Sequence, residues 1–274
     1  MIKKRLFYDN VAFTADTDDI TIIQPRYIEE VHVSLLVQQN GGTAPTLEDI
    51  LSIINKAQVK LTGKIVTELA GRDLLAYSVL VGNRSVKFLV PSSDNEYGLV
   101  EGLVMPMKLA AGAHTLSLRF LHTSVATIDN EKISFATLES DEPLAAEHIE
   151  IPKFAFTPPS TGAYNTALDV TFTGTLQGFL FYSTTIPTTS ATTTSLAKLR
   201  LKAGGDIVFE DNWHGLAAQT YYPEDSTLRS VLDNYVYVDL SKAPIPAGTR
   251  VEVEVYSDDT NPIEILPIVS VPTA

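Results

Sequence analysis

Lys64-Ile65-Val66-Thr67-Glu68 and Asp206-Ile207-Val208-Phe209-Glu210 stand 142 residues apart and repeat one pattern of apolar and acidic positions. The same spacing pairs Leu74 with Leu216 and Ala76 with Ala218. Upstream, Ile20-Thr21-Ile22 matches Leu168-Asp169-Val170 at a spacing of 148, which also sets Ile28 on Leu176, Val31 on Phe179 and Val33 on Phe181. Downstream, Ala111-Gly112 matches Ala247-Gly248 at a spacing of 136, each ahead of an alternating stretch, 115–120 and 251–256. Three blocks keep their order while the spacing shrinks by six at each step. A duplicated unit whose second copy has two shortened loops produces that pattern.

Within each copy the apolar residues alternate. Val31-His32-Val33-Ser34-Leu35, Thr115-Leu116-Ser117-Leu118-Arg119-Phe120 and Val251-Glu252-Val253-Glu254-Val255-Tyr256 each put apolar side chains on one face and polar ones on the other. That period of two belongs to half-buried antiparallel strands. Helix signals are few. Thr46 stands as a cap before Leu47, Ile50, Leu51 and Ile54 at helical spacing, with Asp49 three residues on. Gly71–Tyr77 is a second short candidate. Gly41-Gly42 and Gly204-Gly205 read as hairpin turns. The fold class is all-β: two tandem jelly-roll β-sandwiches with a few short helices. The first covers 1–125 and the second 151–274, with 126–150 as linker. That linker holds the acidic run Glu139-Ser140-Asp141-Glu142-Pro143. Ten of the thirteen residues from Ser183 to Ser195 are Ser or Thr, which predicts an exposed loop, mobile or packed only by a neighbour.

Composition narrows the function. The 274 residues carry 20 Lys+Arg against 33 Asp+Glu, a net charge of −13. A chain so acidic does not coat nucleic acid, which needs Lys and Arg to neutralise phosphate. No cysteine occurs, so disulfides, thiolate metal sites and Cys nucleophiles are excluded together. The basic start Lys3-Lys4-Arg5 is not followed by the apolar core of a signal peptide. No stretch reaches the ~18 apolar residues of a membrane-spanning helix.

Candidate chemistry is sparse. His32, His114, His122, His148 and His214 form no H-x-H or H-E-x-x-H pair. His32 falls on the polar face of its strand, and His114 and His122 flank another, so all three read as surface residues. No Gly-rich phosphate loop and no G-x-S-x-G elbow is present, and the chain reads as a non-enzyme without a cofactor. Asp16, Asp18 and Asp19 are the best calcium candidates, since a hard cation wants several oxygens on one loop. They lack the Gly and the later Glu of an EF-hand loop, and a solvated acidic turn is the simpler reading. Lys3, Lys4 and Arg5 are either a frayed terminus or a basic arm facing an anionic lipid surface, with Leu6 and Phe7 as its anchor. Trp213, Tyr221, Tyr222, Tyr235 and Tyr237 make the second half aromatic-rich. Most are expected in the core, though Tyr and Trp are also favoured at interfaces, and Trp213 near Tyr221 and Tyr222 is the group a binding protein would use.

The block Val59-Lys60-Leu61 through Ile65-Val66-Thr67-Glu68-Leu69-Ala70-Gly71-Arg72-Asp73-Leu74-Leu75, repeated from Leu199 to Leu216, is similar to a strand, tight turn and helical segment of one family. With the tandem acidic, Cys-free β repeat, it resembles the double-jelly-roll major capsid proteins of icosahedral bacteriophages with an internal membrane, the corticovirus and tectivirus type. The resemblance covers nearly the whole chain and is architectural, without a diagnostic short motif. It implies a homotrimer that forms a pseudo-hexagonal tile of an icosahedral shell around an internal membrane. The implied partners are neighbouring capsomers, penton and minor capsid proteins and, peripherally, that membrane, with no direct contact to nucleic acid. The implied location is the virion capsid, after synthesis in the host cytoplasm. The termini of such capsid proteins point to the membrane, which makes Lys3, Lys4 and Arg5 the expected membrane-facing residues. The competing reading is a β-sandwich spike, or a carbohydrate- or receptor-binding protein.

Overall fold

The structure is a computed structural model that describes residues 2–23, 26–112, 115–141, 147–188 and 190–272. Its chain forms two compact units, Met1–Glu150 with Asp225–Val231 and Pro272–Ala274, and Ile151–Glu224 with Leu232–Val271.

In the first unit the elements run β1 (Ile2–Ala12), β2 (Ile20–Ile22), β3 (Tyr27–Gln39), α1 (Leu47–Ser52), β4 (Ile54–Leu61), β5 (Lys64–Leu69), α2 (Gly71–Ala76), β6 (Lys87–Leu89), β7 (Tyr97–Leu109), β8 (Leu116–His122), β9 (Ile128–Ser140) and β10 (Glu147–Glu150). Then come β11 (Phe154–Phe156), β12 (Tyr164–Thr171), β13 (Thr175–Ser183), β14 (Lys198–Ala203), β15 (Asp206–Asn212), α3 (Trp213–Gln219), α4 (Ser226–Leu232), β16 (Tyr235–Asp239), β17 (Arg250–Tyr256) and β18 (Ile263–Pro272). The first unit has sheets ordered β1-β9-β3-β7-β6 and β2-β8-β4-β5. In the second, β13 lies between β18 and β16 with β11 on β18, and the other sheet runs β12-β17-β14-β15. Replacing β1, β9, β3 and β7 by β11, β18, β13 and β16, and β2, β8, β4 and β5 by β12, β17, β14 and β15, reproduces both orders; β6 is an addition to the first unit without a counterpart. This is the jelly roll, written twice.

Register carries the equivalence to single residues. Ile20, Leu118, Val59 and Thr67 form one row across the first unit's sheet. Leu168, Val253, Leu201 and Phe209 form the matching row in the second. Val31 lies between Met105 and Thr137, and Phe179 between Val238 and Pro267. The third block slips by one: Leu118 corresponds to Val253, because the turn from Gly248 into its strand is a residue shorter than the turn after Gly112.

The alternation buries what it promised. Val31, Val33, Leu35 and Val37 of β3 are enclosed, as are Leu116, Leu118 and Phe120 of β8 and Val251, Val253 and Val255 of β17. Phe179, Phe181, Leu199 and Leu201 join Trp213 and Leu216 in the second core. Thr46 caps α1 through a reciprocal pair: its Oγ1 accepts from the Asp49 N–H at 3.1 Å, and Asp49 accepts from the Thr46 N–H at 2.7 Å. The helix stops at Ser52 because Ile54 already belongs to β4. The second helix candidate is α2, which runs into a π-helical turn, Tyr77–Val81. There Ser78 Oγ donates to the Leu74 carbonyl at 2.6 Å and accepts from the Val104 N–H at 2.8 Å. Among the described residues, no helix is long and apolar enough to cross a membrane.

Three expectations change. The stretch 126–150, expected as a linker, carries β9, which lies between β1 and β3. Its alternating Ile133, Phe135 and Thr137 are buried, so it is a core strand; Glu142 and Pro143 of the acidic run lie outside the described residues. Gly41-Gly42 sits in the β3–α1 connection and makes no hairpin. Lys3, Lys4 and Arg5 are neither frayed nor an arm: they lie inside β1, paired with Glu139, Leu138 and Thr137 of β9.

Candidate assembly surfaces

The basic strand β1 is the edge of its sheet, and eight of its eleven residues are exposed. Ile2 is 65% and Leu6 55% exposed, which leaves apolar side chains on a strand that among the described residues has no partner along its outer side. Arg5 is turned inward. Its guanidinium donates to the Ile23 carbonyl at 3.0 Å, lies 3.4 Å from Glu139, and covers the Phe7 ring at 4.4 Å. Phe7 in turn stacks on Phe135 at 5.6 Å. Lys3 and Lys4 are exposed, so the free positive charge of β1 is theirs.

The second sheet of the second unit bears a continuous ion-pair row that sequence reading missed. Tyr164 donates to Glu210 at 2.8 Å, and Arg200 bridges Glu210 at 3.0 Å and Glu254 at 3.3 Å while covering the Tyr164 ring at 4.1 Å. Lys202 continues to Glu254 at 2.6 Å, and Arg250 joins Glu252 at 2.7 Å to Asp169 at 2.6 Å. The Arg200 hydrogen bond, seconded by Tyr164, holds the Glu210 carboxyl below its ordinary range, and Arg250 does the same for Asp169. The first unit has a smaller version, with Lys56 and Gln58 on Glu68 at 2.8 and 2.7 Å. Gln58 and Arg200 stand 142 apart, as do Glu68 and Glu210. Arg200 and Lys202 opposite Glu252 and Glu254, at every second residue, were the available signal.

The remaining candidates separate. Asp19 is held by Lys60 at 2.7 Å, and Asp16 accepts from the His122 N–H at 2.9 Å with Arg119 at 3.6 Å. Among the described residues no three His, Asp or Glu are grouped to hold a metal ion, so Asp16, Asp18 and Asp19 do not converge on one site. His122 is not a surface residue: its side chain is 6% exposed and bound to Glu131, against Phe13. His32 lies 2.8 Å from Glu30, which also takes Arg84 at 2.9 Å. Burial pushes Glu30 up, but the His32 hydrogen bond and the Arg84 charge outweigh it and hold it low. His148 lies 3.1 Å from Glu150, and His114 falls outside the described residues.

Trp213 is buried at 6% exposure in the second core, and Tyr222 donates to the Tyr235 carbonyl, so only Tyr221 of that aromatic group projects into solvent. The base of the Ser/Thr loop is tied internally. The Thr185 carbonyl accepts from Ser183 Oγ at 2.6 Å and Thr194 Oγ1 at 2.9 Å, and Thr184 donates to the Pro262 carbonyl at 2.6 Å. Ser183 and Ser195 are fully buried, and the exposed residues include Thr184 at the base and Ser190, Ala191 and Thr192 at the tip.

No protein-family profile matches the chain, and no curated protein does. Solved structures do. The chain is similar to the major capsid protein of Sulfolobus Turreted Icosahedral Virus, with a TM-score of 0.76 and 14% identity over 99% of this chain and 97% of that one. It is also similar to the major capsid protein P2 of bacteriophage PM2, at TM-score 0.61 and 10% identity over 98% and 97%. For the PBCV-1 virus capsid protein the TM-score is 0.59 at 10% identity, over 98% and 93%. The shared feature is the double jelly roll along the whole chain, the fold that the sequence resemblance implied.

Proposed function

We propose that this chain is a viral major capsid protein, a structural subunit without catalytic activity. Three copies form a pseudo-hexagonal trimer, and trimers tile an icosahedral shell around an internal membrane, beside penton and minor capsid proteins. The observation that carries the reading is the pair of jelly rolls that fills the chain, with nearly end-to-end likeness to viral major capsid proteins. The buried Trp213 weighs against the spike or glycan-binding reading, which needs its aromatics in solvent. The chain's charge of −13 suits a shell protein that leaves nucleic acid alone. Its place is the virion, after synthesis in the host cytoplasm. Of Lys3, Lys4 and Arg5, expected from the sequence to face lipid, Arg5 is engaged with Glu139 and the Ile23 carbonyl, so the charges available to a partner are those of Lys3 and Lys4.

The test is light scattering of the purified chain, followed by electron microscopy of concentrated samples. Trimers at three times the 29.8 kDa chain mass, or tiles and shells built from them, are expected. A stable monomer at micromolar concentration overturns the reading.

A further inference from the structure

Among the described residues, two edge strands that carry exposed apolar side chains have net charges of opposite sign. The first is β1, with the exposed Lys3 and Lys4, the engaged Arg5, one acid, Asp9, farther along, and the exposed Ile2 and Leu6. The second is β15, an edge strand of the second unit's sheet, with Asp206, Asp211 and the Arg200-paired Glu210, and no basic residue. On it Ile207 is 53% and Val208 49% exposed.

The duplication supplies an internal control for each. The counterpart of β15 is β5, where Val66 is 6% exposed in place of Val208 and Lys64 replaces Asp206. The counterpart of β1 is β11, three residues long against eleven. Short strands and covered side chains are how proteins blunt sheet edges. The two units thus differ at these edges: Val66 is covered where Val208 is exposed, and β11 is far shorter than β1, while Ile65 and Ile207 are both about half exposed.

We propose that β1 of one copy meets β15 of a second copy of this chain, strand edge to strand edge. This deepens the capsid reading by naming the surfaces through which copies join. Open edges offer backbone donors and acceptors to another strand, and apolar side chains on both sides give it something to bury. Charge selects the pairing: β1 against β1 opposes lysines to lysines, β15 against β15 opposes carboxylates, and β1 against β15 joins unlike signs. The contact uses different surfaces on the two copies, so repetition closes a ring when its rotation permits, as a trimer requires. A lipid surface would attract Lys3 and Lys4 but would leave the backbone edge and the Val208 strand unpaired.

The absence of cysteine makes a clean test. A Leu6→Cys chain is mixed under oxidising conditions with separately tagged Ile207→Cys or Val208→Cys chains, two positions because a disulfide tolerates only ~4.4–6.8 Å between Cα atoms. A mixed disulfide is expected with at least one of them, and no Leu6→Cys homodimer. In parallel, Lys3→Asp with Lys4→Asp weakens self-association roughly tenfold, and adding Asp206→Lys restores most of it. Trimers that form without any mixed disulfide, or a Leu6→Cys homodimer, overturn this pairing and leave the capsid reading standing. A monomer overturns both. If the lysine variant loses binding to vesicles containing anionic phospholipid while its oligomeric state is unchanged, the strand serves lipid and the proposal fails.

Discussion

Ile65 and Ile207 hold the same place in the two units: each faces a lysine, Lys60 and Lys202, immediately after a register shift in its hairpin. The turns match as well. Thr62 and Gly63 have φ of 49° and 83°, and Gly204 and Gly205 have 60° and 98°. Two left-handed residues in a two-residue loop follow the twist of the strands, which is why hairpins prefer them. Turn, irregularity and side-chain row have been kept together in both copies, although few identical residues remain between them.

The first prediction concerns Thr62. A β-branched residue at positive φ is strained, whereas Asn tolerates that region. Thr62→Asn is expected to stabilise the first unit by up to ~1 kcal/mol. Chemical denaturation checks it; a loss of stability means that the threonine side chain contributes more than its backbone costs.

The second concerns Gly71, the first residue of α2. A Gly→Ala change in a helix ordinarily gains about 1 kcal/mol. Here a Cβ would stand 2.0 Å from the Leu51 carbonyl oxygen, which is backbone and cannot swing away. Gly71→Ala is expected to destabilise by about 1–3 kcal/mol, the cost of overpacking. A thermal midpoint at or above the parent's would show that the two helices separate freely.

The third concerns acid. Glu96 accepts from the Ser92 N–H at 2.9 Å, the Ser92 hydroxyl at 3.1 Å and the Ser93 N–H at 3.2 Å. These bonds, the Ser92 backbone first, hold its carboxyl at about 2 against an ordinary 4.5. A carboxyl depressed on folding lends stability that is complete above its unfolded value and fades as pH falls from there towards about 2. Glu96→Gln should therefore reduce stability near neutral pH and make little difference at about pH 2. A deficit that is the same at both ends rules out the linkage, and an NMR titration of the side chain reads the shift directly.

The fourth concerns the Ser/Thr loop. Deleting 188–193 removes the exposed tip and spares Ser183, Thr185, Thr194 and Ser195 at its base. The thermal midpoint should stay unchanged while assembly into larger particles weakens. A normal particle yield removes the tip from the interface, and a large drop in the midpoint shows that the tip supports the fold.

The sequence by itself determined the duplication, the strand rows and the two capped or turn-bounded helices, because a period of two and local turn chemistry are written in neighbouring residues. Ile20 on Leu168 and Ile65 on Ile207 needed only counting. It did not reveal β9 as a core strand, because acidic residues near the end of Ile128–Ser140 made the segment look like a solvated connection. Nor could it tell that His122 is buried against Glu131, or that Val208 is exposed while Val66 is covered. Exposure is a property of what else reaches a position, and the two valines are identical letters in equivalent strands. The same holds for Lys3, Lys4 and Arg5: their charge was legible, but only pairing with β9 and the turn of Arg5 towards Glu139 decided that they form a sheet edge. Local patterns choose the elements, whereas open edges are what remains after all long-range pairings have been made, so they become visible only in the folded chain.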